Sequence, residues 1–207
     1  MNKARLESFS DGVFSIVVTL LIFDIKVPTL AGAVSDGQLW YQIGLLTPLI
    51  VIYAVTFAVL AVLWTNHHLL FHSVARSVDR KLNLLNLAYL MFVAFVPFSA
   101  YLIGLYPTHQ PAAIIYGLNI FAIVALSSAM MSYIRHNPEL MNDDLTSRTL
   151  KQARFRSGVS LVCYTIGIFF SFVFVPISIF LYAFPIIFNI IPGTLDFLER
   201  HSPLDFG

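Results

Sequence analysis

Residues 37–75, 82–134 and 157–195 contain no Asp, Glu, Lys or Arg. A helix of about 20 apolar residues crosses a hydrocarbon core ~30 Å thick, so each stretch is long enough for at least one crossing. In hydrocarbon every backbone polar group needs a partner within the protein, and a helix supplies all of them internally. These runs therefore predict a bundle of helices in a membrane. Composition agrees: 58% of residues are hydrophobic and 11% charged, and the mean hydropathy is +0.81, far from a soluble domain. Six spans with short connections use nearly all of the 207 residues, which leaves no space for a separate catalytic domain.

Punctuation within the runs predicts the spans. The first covers about 9–27 and ends at Pro28. A secretory signal is the rival reading, with Lys3 and Arg5 as its basic end, residues 12–23 as its apolar run and Ala31-Gly32-Ala33 as a cleavage site. Asp11 at the mouth of the run and the Asp24-Ile25-Lys26 flank favour a retained helix. The second span covers 41–71, with Pro48 near its start. Residues 82–134 exceed one crossing and divide at Tyr106–Pro111 into spans of 82–105 and 112–134; Pro111 suits a first helical turn. The last run divides at Pro176 and Ser178 into 157–175 and 177–191, with Pro185 interrupting the second, a pattern that also fits a re-entrant element. The expected fold is an all-α membrane protein with six transmembrane helices per subunit.

Orientation follows from the basic residues. Lys3 and Arg5 precede span one, and Arg76, Arg80 and Lys81 separate spans two and three. Arg135, Arg148, Lys151, Arg154 and Arg156 separate spans four and five, and Arg200 follows span six. With six spans, every basic residue except Lys26 falls on one side, which places both termini in the cytoplasm and the chain in the cell membrane. No basic face exists to neutralise phosphates, so nucleic acid is not an expected partner. The single cysteine, Cys163, cannot form an intrachain disulfide and reads as a buried structural thiol. No inverted repeat of the kind many secondary transporters carry is visible.

Chemistry-bearing motifs are few. His68 and His72 stand at i, i+4, with Asp11 as a third conceivable ligand, but no HExxH glutamate accompanies them, and polar contacts at a helix end explain them better than a metal. Gly-x-Ser-x-Gly and the phosphate-cradling glycine motifs are missing. The Thr-Val-Gly-Tyr-Gly filter and an arginine-rich voltage sensor are missing too. The first span stands out instead. Asp11, Ser15 and Thr19 form a polar stripe, while Ile16, Thr19, Leu20 and Phe23 share one helical face. Such a stripe is costly against lipid and calls for a protein or aqueous partner. By spacing alone, packing in a bundle and lining a pore both account for it.

Arg5-x-x-x-Phe9-Ser10-Asp11 at the start of span one resembles the first-helix signature of the transmembrane protein 175 family of potassium channels. Asp24-Ile25-Lys26-Val27-Pro28 and Trp64-x-x-His67-His68 extend the likeness, and span count and length agree with a prokaryotic member. The resemblance implies a homotetramer in which four copies of the first helix line a central pore. It implies a hydrophobic constriction at Ile16 and a ring of Thr19 hydroxyls that potassium meets in transit. Leu20 and Phe23 would continue the pore-facing stripe, with Phe23 a departure from the expected aliphatic residue. Arg5, Phe9, Ser10, Asp11 and His67 or His68 would form a polar network that braces the first helix. No cofactor and no enzymatic activity are implied. The alternative from another class is a proton-coupled secondary transporter using Asp11 with His67 or His68. An intramembrane enzyme or metal-binding protein, and a membrane scaffold, are the remaining readings.

Overall fold

A computed structural model of the chain describes residues 2–26, 29, 34–142 and 147–190. These residues form α-helices joined by short turns, and no strand occurs among them. Helix α1 spans Lys3–Leu20 and continues as a 3-10 turn over Leu21–Asp24. It begins upstream of Phe9 because Asn2 caps it, its Oδ1 accepting the Ala4 N–H at 3.0 Å.

The stretch 41–71, expected as one span, is two helices. α2 covers Asp36–Leu45 and α3 covers Thr47–Leu69, followed by a π-helical turn over Leu70–Val74. Ser35 and Gln38 start α2 early with a reciprocal capping box. Pro48, in the first turn of α3, has no N–H to carry the ladder across Leu46. Helices α4 (Arg80–Ala94) and α5 (Val96–Leu105) form a second interrupted pair, with Pro97 in the first turn of α5. α6 spans Gln110–His136 and opens with Pro111.

α7 spans Ser147–Phe170 and begins well before residue 157. Leu150–Arg156 is hydrophilic but contains good helix formers and neither Gly nor Pro, so the helix extends beyond its apolar part. α8 spans Val175–Ile190 and continues through Pro185, which was expected to interrupt it. A buried Pro forfeits one backbone hydrogen bond, and packed neighbours allow a membrane helix to tolerate that loss. Val27, Pro28, Ala31-Gly32-Ala33, Asp143, Asp144, Ile191 and Arg200 lie outside the described residues.

The protein is an all-α membrane protein. Among the described residues, four helical stretches are long and apolar enough to cross a bilayer: Lys3–Asp24, Thr47–Val74, Arg80–Leu105 and Gln110–His136. α7 carries Lys151, Arg154 and Arg156 in its first half, and the apolar part of α8 is the shorter Val175–Ile186. Within the described residues, the first four of the expected six thus qualify by length and composition.

α6 is the central element, packed on α4, α5 and α7, while α7 and α8 pair as a hairpin and α1 leans on α3 and α4. Tyr182 of α8 locks three of these helices together. Its hydroxyl donates to the Ala113 carbonyl of α6 at 3.1 Å and lies 3.2 Å from Ser171 Oγ. The ring fits only because two neighbours have no side chain: a Cβ on Gly117 would collide with the Tyr182 hydroxyl, and one on Gly167 would lie 2.6 Å from its ring. Nearby, Thr56 of α3 and Tyr116 of α6 share a buried hydroxyl contact of 3.1 Å.

Side chains and short backbone pairings tie together the end of the bundle that carries the basic residues. Ala75 and Met141 form an isolated bridge, with the Arg76 N–H on the Leu140 carbonyl at 2.7 Å. Lys3 Nζ donates to the Ala75 carbonyl at 2.7 Å, which joins the start of α1 to the turn after α3. Asp79 caps α4 through the Leu82 N–H at 2.7 Å and accepts the Tyr133 hydroxyl of α6 at 2.6 Å. Burial alone would raise the Asp79 pKa. The bonds from Tyr133 and Leu82, with Lys81 nearby, outweigh it and hold the carboxyl below its ordinary range.

Replacing Gly117 with Val should destabilise the bundle by about 1–3 kcal/mol, the usual cost of overpacking. Thermal unfolding of the purified protein in detergent measures this, and an unchanged midpoint would show that Tyr182 is free to move aside.

Candidate functional site

α1 has two dissimilar faces, set by which residues recur every third and fourth position. Leu6, Ser10, Phe14, Val17 and Leu21 are buried against the bundle. Phe9, Ile16, Leu20 and Phe23 turn the other way, with Ile16 60% and Phe23 72% exposed in the single chain. Thr19 lies on this outer face, and its hydroxyl donates to the carbonyls of Ser15 at 3.0 Å and Ile16 at 2.9 Å. That leaves the lone pairs of its oxygen available on the exposed side.

The buried face carries a directed chain of hydrogen bonds. Ser10 Oγ donates to the Leu6 carbonyl at 2.9 Å, so it accepts from Asn86 Nδ2 at 3.1 Å. Asn86 Oδ1 then accepts from His67 Nε2 at 2.7 Å. One polar side chain from each of α1, α3 and α4 is satisfied in this way, and all three are buried. Aromatic rings enclose His67: Phe71 at 4.7 Å, Tyr89 at 5.1 Å and Phe14 at 5.8 Å between centroids. Asn86 carries no motif signal of its own. A polar residue within an apolar run was the available clue, because such a residue usually has a partner.

Asp11 follows a separate route. Its Oδ1 accepts the Trp64 indole N–H at 2.9 Å. Trp64 stacks on His68 at 5.7 Å, and His68 lies face to face with His72 at 5.2 Å and 10°. The expected brace residues thus fall into three sets. Ser10 and His67 join through Asn86, and Asp11 and His68 join through Trp64. Arg5 and Phe9 are exposed and remain apart from both sets. An Arg5–Asp11 hydrogen-bonded pair does not form within the protomer. Positions six apart on a helix lie about 120° from each other around its axis, so the two side chains face different ways. Among the described residues no group of three or more His, Cys, Asp or Glu comes together that could hold a metal.

Chemically, α1 offers an exposed face of large apolar side chains that also carries the Thr19 hydroxyl, on a helix packed against the bundle from behind. Residues 5–97 match the family model described as the endosomal/lysosomal potassium channel TMEM175. A protein named as a potassium channel from Streptomyces collinus is 35% identical over 86% of this chain and 87% of its own length. Another so named, from Chryseobacterium, is 29% identical over 93% and 94%. The crystal structure of a lysosomal potassium-selective channel TMEM175 homolog from Chamaesiphon minutus superposes with a TM-score of 0.75 and is 31% identical, covering 93% of this chain and 98% of that one. The identity, the near-complete coverage of both chains and the shared fold place this chain in the TMEM175 family.

Proposed function

We propose that this protein is a passive potassium-selective or potassium-preferring channel. Four copies surround a central pore lined by α1, in a cell membrane that the chain crosses six times with both termini cytoplasmic. The observation that carries this reading is the division of α1 into a braced face and an exposed one. Ile16 at 60% and Phe23 at 72% exposure are large apolar residues on a helix whose other side is fully engaged, and identical copies can cover that face around an axis. The relatives named as potassium channels support the same reading.

In this arrangement Ile16 forms the constriction, since a narrow apolar ring can stop ions by dewetting. Thr19, one turn further along α1, presents oxygen that replaces part of the hydration shell of potassium and holds it weakly enough to release it. Leu20 and Phe23 line the wider continuation. Ser10, Asp11, His67 and His68, with Asn86 and Trp64, hold α1 at a fixed angle and do not touch the ion. Arg5 and Phe9, exposed in the protomer, fit a role at contacts between copies.

Three outcomes test the assignment. Ile16→Asn should raise basal potassium flux in liposomes by about tenfold or more, by wetting the neck. Normal assembly with unchanged flux would remove Ile16 as the gate. Thr19→Ala should lower the potassium-over-sodium permeability ratio measured from reversal potentials, and an identical ratio would remove Thr19 from the selective region. Asn86→Ala strands Ser10 and His67 and should cost about 1–3 kcal/mol of stability. A detergent melt with the wild-type midpoint would show that the chain through Asn86 does not hold α1.

A further inference from the structure

A cavity of about 230 Å³ lies between α3 with its π-helical turn, α6 and the first half of α7, well away from the exposed face of α1. Leu69 and Met131 belong to its apolar wall, and Asn66, Ser127 and Ser157 supply polar groups. Arg156 lines both this cavity and a water-sized void of about 30 Å³ deeper in the bundle. Arg156 Nε is buried and has no hydrogen-bond partner among the described residues. Among the described residues, none that lines either space is acidic. A guanidinium keeps its proton in a protein, so the charge of this half-buried side chain favours a nearby anion.

The position of Arg156 narrows the class of anion. It is the last charged residue of α7 before the uncharged run 157–195, with exposed Arg154 two residues earlier and exposed Lys151 five residues earlier. The cavity thus sits where the helix passes from water to hydrocarbon, at the end of the bundle rich in basic residues. Leu69 is 49% exposed, which gives the site an apolar edge. Basic pockets between membrane helices at that depth suit anionic lipid head groups. Charge, hydroxyl donors and an apolar wall together match a phosphodiester with acyl chains better than a free ion.

We propose that this cavity holds the head group of an anionic phospholipid, with its phosphate paired to Arg156 and its acyl chains leaving past Leu69. The site is within one subunit and does not depend on the pore assignment. Its occupant holds α7 against α3 and α6, where the protein's own side chains leave a gap.

Full-length protein in detergent, titrated with phosphatidylglycerol, phosphatidylcholine or inorganic phosphate, provides the test by native mass spectrometry and thermal shift. Wild type should retain about one phosphatidylglycerol per chain in preference to phosphatidylcholine. Arg156→Gln should weaken that retention about fivefold. Ala153→Phe, which fills the cavity and keeps the arginine, should weaken it as well, and it decides the matter if Arg156→Gln does not fold. Equal phosphatidylglycerol retention by wild type and Ala153→Phe would overturn the proposal. A thermal shift from inorganic phosphate as large as that from the lipid would overturn it too, by showing a plain anion site. Neither readout requires conduction, so failure here leaves the pore reading untouched.

Discussion

The hydrogen-bond chain from His67 through Asn86 to Ser10 is the interaction on which the placement of α1 depends. A membrane helix gains little by exchanging lipid tails for apolar protein surface, because the two are similarly apolar. Direction and register must come from contacts that lipid cannot offer. Polar pairs between membrane helices contribute on the order of 1 kcal/mol each, and this chain links three helices through side chains buried from both water and lipid. Phe14 and Val17, packed on the same side, add shape to the polar specification.

Seating α1 by that face determines what its other face can be. Successive residues on a helix turn by about 100°, so engaging Ser10, Phe14 and Val17 leaves Phe9, Ile16, Leu20 and Phe23 turned away. The Asp11–Trp64 bond closes the flank between the two faces, and Lys3 holds the beginning of the helix to the turn after α3. The exposed face is therefore fixed in angle without being covered. Such a surface can serve an assembly of identical chains, where small errors in angle would multiply around an axis.

The rest of the bundle divides its work differently. At one level the α6–α7–α8 packing is tight to the point of requiring glycine, with Tyr182 lodged against Gly117 and Gly167. Towards the basic end α6 and α7 stand apart, with α3, around the cavity beside Arg156. The contrast arises because α7 continues as a helix beyond its apolar part. Long polar side chains there cannot interlock as Tyr182 and the glycines do, so the space between helices is lined rather than filled.

Residues 37–75, 82–134 and 157–195, emptied of charge, were enough to point to a helical membrane protein, because a long continuous apolar run satisfies its own polar groups in lipid as a helix, whereas barrel strands alternate apolar and polar residues. The polar stripe on the first helix and the signature around Ser10 and Asp11 were also legible, as was the pairing of that helix with the histidines of the second. Helix ends were less so. Pro48 split a run that hydropathy alone joins, Pro185 failed to split one that it punctuates, and α7 began in a hydrophilic stretch. Each outcome depends on neighbours that a linear pattern does not contain. Only the tertiary structure selected Asn86 as the link between Ser10 and His67, gave Asp11 to Trp64 rather than to Arg5 or the histidines, and left Arg156 beside a cavity. Sequence spacing specifies which residues share a helix face, whereas a hydrogen bond between helices depends on the distance and angle at which two helices pack.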